Sequence, residues 1–275
     1  MLWIWLIGGV LFMLLPALYL LSVKGIRREQ IAPLERAAYA HRGLHGDGRP
    51  ENSLAAFRAA AENGFGAELD VHITADGTLA VIHDRSLQRT AGVNVDVTKL
   101  TAETLKTYRL EGTQETIPTL DEVLAVFDGK APLIIELKAD SGNHAALCDA
   151  VCRALDGYTG LYCLESFDPR CLLWLKKHRP AILRGQLSQN FFRSRDVHPL
   201  LRPILTSLST NALTRPDFVA YRYDHRRSLP FAVSRYVWKT PAAAWTLTDN
   251  DALEVASTDG IMPIFEGFVP SRHDT

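Results

Sequence analysis

The feature that most limits how this chain can fold is an alternation, running from residue 38 to residue 264, of short β-rich runs with stretches of helical period. Strands are expected near 38–42, 67–72, 79–83, 133–137, 161–166, 182–187, 218–222, 243–247 and 260–264, and helices at 53–63, 101–107, 120–128, 144–155, 169–178 and 249–256. Several of the strands are continuous apolar runs, which suits strands covered on both faces. Thr119-Leu-Asp-Glu122 reads as a capping box that fixes the start of the third helix. Alternation of this kind in a chain of 275 residues fits a single α/β domain folded as an irregular (β/α)8 TIM barrel, with a doubly wound open sheet as the competing architecture. Nine strands for eight places leave one outside the barrel. Asp76-Gly77, a hairpin turn signal with no room for a helix beside it, puts that irregularity between the second and third strands.

Polar residues that interrupt buried strands are costly unless they serve a purpose, and here they gather at strand ends: His41 and Arg42, Glu68 and Asp70, His83 and Asp84, Glu136 and Lys138. Side chains alternate along a strand, so Glu68 and Asp70 share one face, as do Glu136 and Lys138. Two carboxylates in one cavity repel. A hard divalent cation, Mg²⁺ or Ca²⁺, relieves that repulsion, with Glu136 from another strand as a third oxygen ligand. Histidine titrates near neutral pH, which suits His41 and His83 to general acid and base work. Arg42 and Lys138 can hold an anion, the guanidinium offering a two-pronged grip on phosphate. Each of these residues alone reads equally well as half of an ordinary ion pair. Together they point to a site at the C-terminal face of a barrel and to phosphodiester chemistry.

The residues also carry a resemblance. HRG at 41–43, PENS at 50–53 followed by an AF pair, ELDVHITADG at 68–77, VIHD at 81–84, IPTLDEVL at 117–124, IIELK at 134–138, SFD at 166–168 and WTLTD at 245–249 follow the order and approximate spacing of the glycerophosphodiester phosphodiesterase family. The resemblance extends over roughly residues 38–262. It implies an irregular (β/α)8 barrel that hydrolyses glycerophosphodiesters to an alcohol and glycerol 3-phosphate with a divalent metal. Carried onto this chain, it makes His41 and His83 the acid/base pair and Glu68, Asp70 and Glu136 the metal ligands. It places Glu51 as a secondary ligand, Arg42 and Lys138 beside the phosphate, and Trp245 in the substrate pocket. The family's usual ending departs here: GIMPIFEGF from Gly260 lacks the expected acid and hydroxyl, so the last segment is expected to close the pocket differently.

Residues 1–23 contain no charged side chain, and as a helix this run measures roughly 30 Å, the thickness of a bilayer's hydrocarbon core. A single-pass transmembrane helix at 1–23, a juxtamembrane linker at 24–36 and a barrel domain at 37–275 are therefore expected, a cleaved signal peptide being the alternative. Lys24, Arg27 and Arg28 follow the run and none precedes it, which places the catalytic domain on the cytoplasmic side against the opposite orientation. The four cysteines, Cys148, Cys152, Cys163 and Cys171, show no zinc spacing and read as buried thiols. A net charge of −1 excludes a polyanion-binding domain, so no nucleic-acid partner is expected despite the basic, aromatic run from Tyr221 to Arg227. The tether raises a second reading, lysophospholipase D-type hydrolysis of membrane lysolipids, with Phe191 and Phe192 either meeting acyl chains at the mouth or packing beneath the next helix. A catalytically inactive membrane scaffold or sensor is the reading of another class.

Overall fold

The computed structural model describes residues 27–140, 142–194 and 197–271, with Trp3, Gly8 and Gly9. Apart from those three positions, the expected transmembrane helix at 1–23 lies outside the described residues. Among the described residues no helix is long and apolar enough to cross a membrane.

The strands are β1 Tyr39–His41, β2 Gly66–Ile73, β3 Leu79–Val81, β4 Leu133–Leu137, β5 Tyr162–Ser166, β6 Arg184–Ser188, β7 Phe218–Arg222, β8 Ala242–Leu247 and β9 Ile261–Phe265. All but β3 pair in parallel, in the order β1-β2-β4-β5-β6-β7-β8-β9, and β9 returns to β1 to close a barrel. β3 pairs antiparallel with β2 alone, across the turn at Asp76-Gly77, and is the strand that has no place in the barrel.

The longer helices are α1 Arg28–Glu35, α2 Leu54–Glu62, α3 Leu120–Phe127, α4 His144–Leu155, α5 Pro169–His178 and α6 Asn250–Thr258. Each expected strand is present, α2 to α5 fall within the expected helical ranges, and α6 runs two residues past its expected end at 256. The capping box of α3 forms in both directions: the Thr119 hydroxyl accepts from the Glu122 N–H, and the Glu122 carboxylate accepts from the Thr119 N–H at 2.7 Å. The expected helix at 101–107 contracts to Ala102–Leu105. After β6 and β7 the chain uses pieces of four or five residues, Arg202–Thr206, Asn211–Thr214 and Leu229–Ala232, which are too short to display a helical period.

Alternation along the strands sorts side chains into two layers. Ala67, Leu69 and Val71 of β2, and Leu133, Ile135 and Leu137 of β4, face outward into the shell packed by the helices. Tyr39, Ile134, Cys163, Leu187, Phe218 and Ile264 form a separate cluster inside the barrel. Gly185 on β6 makes room there, because a Cβ at that position would come within 2.2 Å of the Phe218 ring. All four cysteines are buried free thiols, as the spacing suggested.

One segment behaves unlike a linker. Residues 28–35 form α1, whose Ile31 and Leu34 are fully buried with the interior cluster, and Tyr39 donates to the Leu34 carbonyl at 2.8 Å. Arg27 donates to both carboxylate oxygens of Asp217, at 2.7 and 2.5 Å, and to the carbonyls of Pro180, Ala181 and Ile182. These partners precede β6 and β7, so the chain enters at the N-terminal end of the barrel, opposite the C-terminal ends of the strands.

Candidate active site

A cavity of about 350 Å³ opens at the C-terminal ends of the barrel strands. His41 is the last residue of β1, level with Glu68 on β2; Asp70 lies beside Glu136 on β4, and Glu136 beside Glu165 on β5. The odd-numbered β2 residues pack outward, so Glu68 and Asp70 both point inward.

The loop after β1 is held in a demanding conformation. Arg42 and Asn52 lie in the left-handed region at φ 55° and 54°, a cost of about 1–2 kcal/mol each for non-glycine residues. Gly43, at φ 80°, lies so close to α2 that a Cβ would sit 2.9 Å from Ala56. Bonds across the loop hold this geometry: Asn52 N–H donates to the Arg42 carbonyl, and the Asn52 side chain donates to Asp70 at 2.9 Å.

Glu68, Asp70 and Glu136 are buried and can each offer an oxygen within 4.8 Å of the others. Lys138 reaches Asp70 at 3.0 Å and Glu136 at 2.9 Å. Burial opposes ionisation of Asp70, but Lys138, with His83, Arg42 and the Asn52 bond, outweighs it and holds this carboxyl well below the usual range. Burial pushes Glu136 up to about 7, Lys138 countering and Asp70 adding to the rise. Glu68 accepts the Arg42 backbone N–H at 3.2 Å and lies 3.8 Å from His41 Nε2, and burial together with the neighbouring carboxylates drives its pKa well up. A trio of buried carboxylates faced by Lys138 and by Arg42, whose Nε lies 3.5 Å from Asp70 and whose charge Glu51 shares, is short of positive charge, and the donor set is all oxygen. It fits a hard divalent cation.

Glu51, expected as a further ligand, lies outside this trio. Arg89 bonds both of its oxygens, at 2.6 and 2.7 Å, and Arg42 bonds one at 3.0 Å. Against the cost of burial, these two guanidinium groups keep it ionised below the usual carboxylate range. In this structure it holds Arg42 and Arg89 together. Trp245 does reach the cavity, packed edge-on against Phe167 with ring centres 5.8 Å apart. Of the two phenylalanines after β6, Phe191 is buried against Phe167, whereas Phe192 is 60% exposed.

The two imidazoles are held alike. His83 Nδ1 lies 2.6 Å from Asp84 Oδ1, and His41 Nδ1 lies 3.1 Å from Glu266 Oε2. A carboxylate at Nδ1 fixes the tautomer and leaves Nε2 as the atom that exchanges a proton. Burial lowers the His83 pKa, helped by Lys138 and Arg42 and opposed by Asp70 and by the Asp84 bond. His72, without an evident partner in the sequence, bonds the His83 carbonyl through Nε2 at 3.1 Å.

Glu266 was not apparent from the sequence. It stands in the departed ending, just past β9, and supplies an acid to the mouth after all, bonding both His41 and His45 at 3.1 Å. Those two bonds hold its carboxyl well below the usual range. The strand-end rule that singled out Glu68 and Glu136 applies equally to residue 266. Glu266→Gln is expected to lower kcat roughly 10²-fold with little change in KM, because the amide can present its N–H to Nδ1 and reverse the tautomer. Steady-state kinetics check this, and an unchanged kcat would detach Glu266 from His41's work. Glu165, also missed, is buried with Oε2 unpartnered, and it was legible from the alternation that turns Cys163 inward.

A family model described as the glycerophosphoryl diester phosphodiesterase family matches residues 41–217. A glycerophosphodiester phosphodiesterase of Bacillus altitudinis is 40% identical over 107 residues, covering 36% of this chain and 43% of the relative. One from Caldanaerobacter subterraneus is 34% identical over 160 residues, covering 54% of this chain and 65% of the relative. The chain thus matches between about two fifths and two thirds of the length of these relatives. Among solved structures, an Oleispira antarctica phosphodiesterase in complex with the product sn-glycerol-3-phosphate superposes with a TM-score of 0.67 at 24% identity, covering 84% of this chain and 92% of that one, and shows the same fold. A Thermotoga maritima glycerophosphodiester phosphodiesterase does so with a TM-score of 0.63 at 25% identity over 84% and 93%. With its family model matched over more than half its length, this chain belongs to the glycerophosphoryl diester phosphodiesterase family.

Proposed function

We propose that this chain hydrolyses glycerophosphodiesters to an alcohol and glycerol 3-phosphate with the aid of a divalent metal. The observation that carries the reading is the pair of imidazoles, each braced at Nδ1 by a carboxylate, flanking three buried acids that are short of positive charge. Glu68, Asp70 and Glu136 would hold the cation, Mg²⁺ or Ca²⁺, which when bound supplies positive charge for the phosphate oxygens. Arg42 and Lys138 stand beside it as further cations. His83, with its lowered pKa, is held in the neutral form that can accept a proton, which leaves His41 to donate. In the forward step His83 takes the proton of the glycerol 2-hydroxyl, that oxygen bonds to phosphorus, the bond to the alcohol breaks, and His41 Nε2 protonates the departing oxygen. Water then opens the cyclic phosphate with the two roles exchanged.

The test is an assay of the purified chain against glycerophosphocholine, glycerophosphoglycerol and lysophosphatidylcholine with Mg²⁺, Ca²⁺ or EDTA. Hydrolysis of a glycerophosphodiester that EDTA abolishes is expected. No hydrolysis of any of them would return the chain to the scaffold reading. Exposed Phe192 favours the lysolipid reading. Against it stands the entry of the chain at the pole opposite the mouth. A membrane-spanning helix at 1–23 would tether the closed end, turning the open end toward water and water-soluble diesters. We further propose that the domain lies on the cytoplasmic side, on the strength of Lys24 and Arg28. Arg27, the third orienting charge, is already paired with Asp217.

A further inference from the structure

The catalytic groups occupy one side of the cavity, on β1 to β4, and the facing rim belongs to β6, β7 and β8. Resting on the phosphodiesterase reading above, we propose that Arg222 and Trp245 form a head-group subsite selecting diesters whose alcohol presents acceptor oxygens and no positive charge: polyols and anionic alcohols rather than choline or ethanolamine.

Arg222 ends β7 in register with Trp245 on β8, and both line the cavity. The guanidinium carbon lies 5.8 Å from the Trp245 ring centre, with Phe167 edge-on against the same indole. Recognition of a quaternary ammonium uses an aromatic face left open for the cation. Here a protein cation already sits against that ring. The hydrogen-bonding inventory agrees, because Trp245 Nε1–H is buried with no acceptor among the described residues and Arg222 presents donors only. At the rim the acceptor is Gln189 Oε1, which faces Arg222 Nη1 at 3.5 Å, while Glu165 lies deeper in the cavity, level through Gly185 with Phe218, four residues before Arg222. Asp224, the carboxylate nearest Arg222, lies 3.6 Å from Nε with a side chain 74% exposed, so water screens its charge. The rim thus offers donors and positive charge to whatever docks there. At this rim an ammonium group would meet the Arg222 charge, whereas a hydroxyl, carboxylate or phosphate would meet its donors. The Arg222 side chain is itself 45% exposed, so this is the open end of the site, where an alcohol of variable size fits.

The decisive measurement is the ratio of kcat/KM for glycerophosphoglycerol to that for glycerophosphocholine. The wild-type chain is expected to favour the polyol about tenfold or more, Arg222→Lys to keep that order, and Arg222→Glu to reverse it. A wild-type ratio at or below one overturns the proposal, as does a ratio that Arg222→Glu leaves within twofold. If Arg222→Glu turns over neither substrate, the wild-type and Arg222→Lys ratios decide. Failure of the wild-type chain on both diesters sinks the phosphodiesterase reading itself, a result distinct from hydrolysis without preference.

Discussion

His83→Ala is expected to lower kcat by about 10³- to 10⁴-fold, near the upper end of what a positioned general base contributes, while cation binding is retained. His83 supplies no oxygen to the trio of acids, so its removal leaves the proposed metal ligands in place. His41→Ala should cost a similar factor on natural diesters, whose alkoxide leaving groups need a proton. The two roles separate with a glycerol p-nitrophenyl phosphate diester, whose leaving group departs unprotonated near neutral pH. His41→Ala should recover most of its rate on that substrate and His83→Ala should not. The opposite pattern would exchange the assignments, and near-normal kcat in either variant on glycerophosphoglycerol would remove that residue from the chemistry. The pH profile gives a second check. A base works when neutral, so kcat/KM should fall as pH drops through the His83 pKa, which burial sets below 6.5. Asp84→Asn deletes a bond that raises this pKa, so the acid limb should move to still lower pH while the maximum rate declines.

Much of this arrangement was legible because barrel strands advertise themselves. Buried parallel strands read as apolar runs, and a charged residue ending such a run has few reasons to be there. That logic found His41, Glu68, Asp70, His83, Glu136 and Lys138, and the structure brings all six to one cavity. It also set one strand aside at Asp76-Gly77, where β3 indeed leaves the barrel. What stayed hidden depended on partners far away in sequence. Nothing near Glu51 announces Arg89, 38 residues on, whose two bonds occupy both oxygens of the expected ligand. Ile31 and Leu34 look like a linker's scattered apolar residues until the barrel supplies an open end for them to fill. Glu266 is hidden for a different reason, since it stands past the end of β9, later in the segment than the acid of the family's usual ending.

Glu68→Gln should separate the two faces of the carboxylate cluster, destroying activity while leaving the metal-free protein as stable as the wild type or more so. Of the trio, Glu68 is the member without a lysine, and its charge is opposed by burial and by Asp70, Glu136 and Glu165. A neutral glutamine removes the cost of either burying that charge or protonating it, a cost the unfolded chain does not bear. The cation, on the other hand, binds only the folded site, and at a hundredfold excess over its Kd it stabilises by about 2.7 kcal/mol, worth roughly 5–10 °C in Tm for a domain of this size. Wild type should show that rise on adding Mg²⁺ or Ca²⁺ and lose it to EDTA, whereas Glu68→Gln should show almost none. The rise should itself depend on pH with a definite sign. Glu136, with its pKa near 7, and Glu68, likewise driven up, hold protons in the metal-free fold that ligand oxygens must release, so cation and protons compete. The metal-induced shift in Tm is therefore small at pH 5 and grows as the pH rises through 6 and 7. Asp70 is ionised throughout that window, held by Lys138, and contributes no slope of its own. A Glu68→Gln protein that keeps the full metal-induced shift would move the cation away from these three residues, and a shift independent of pH would show that Glu136 carries no proton for it to displace.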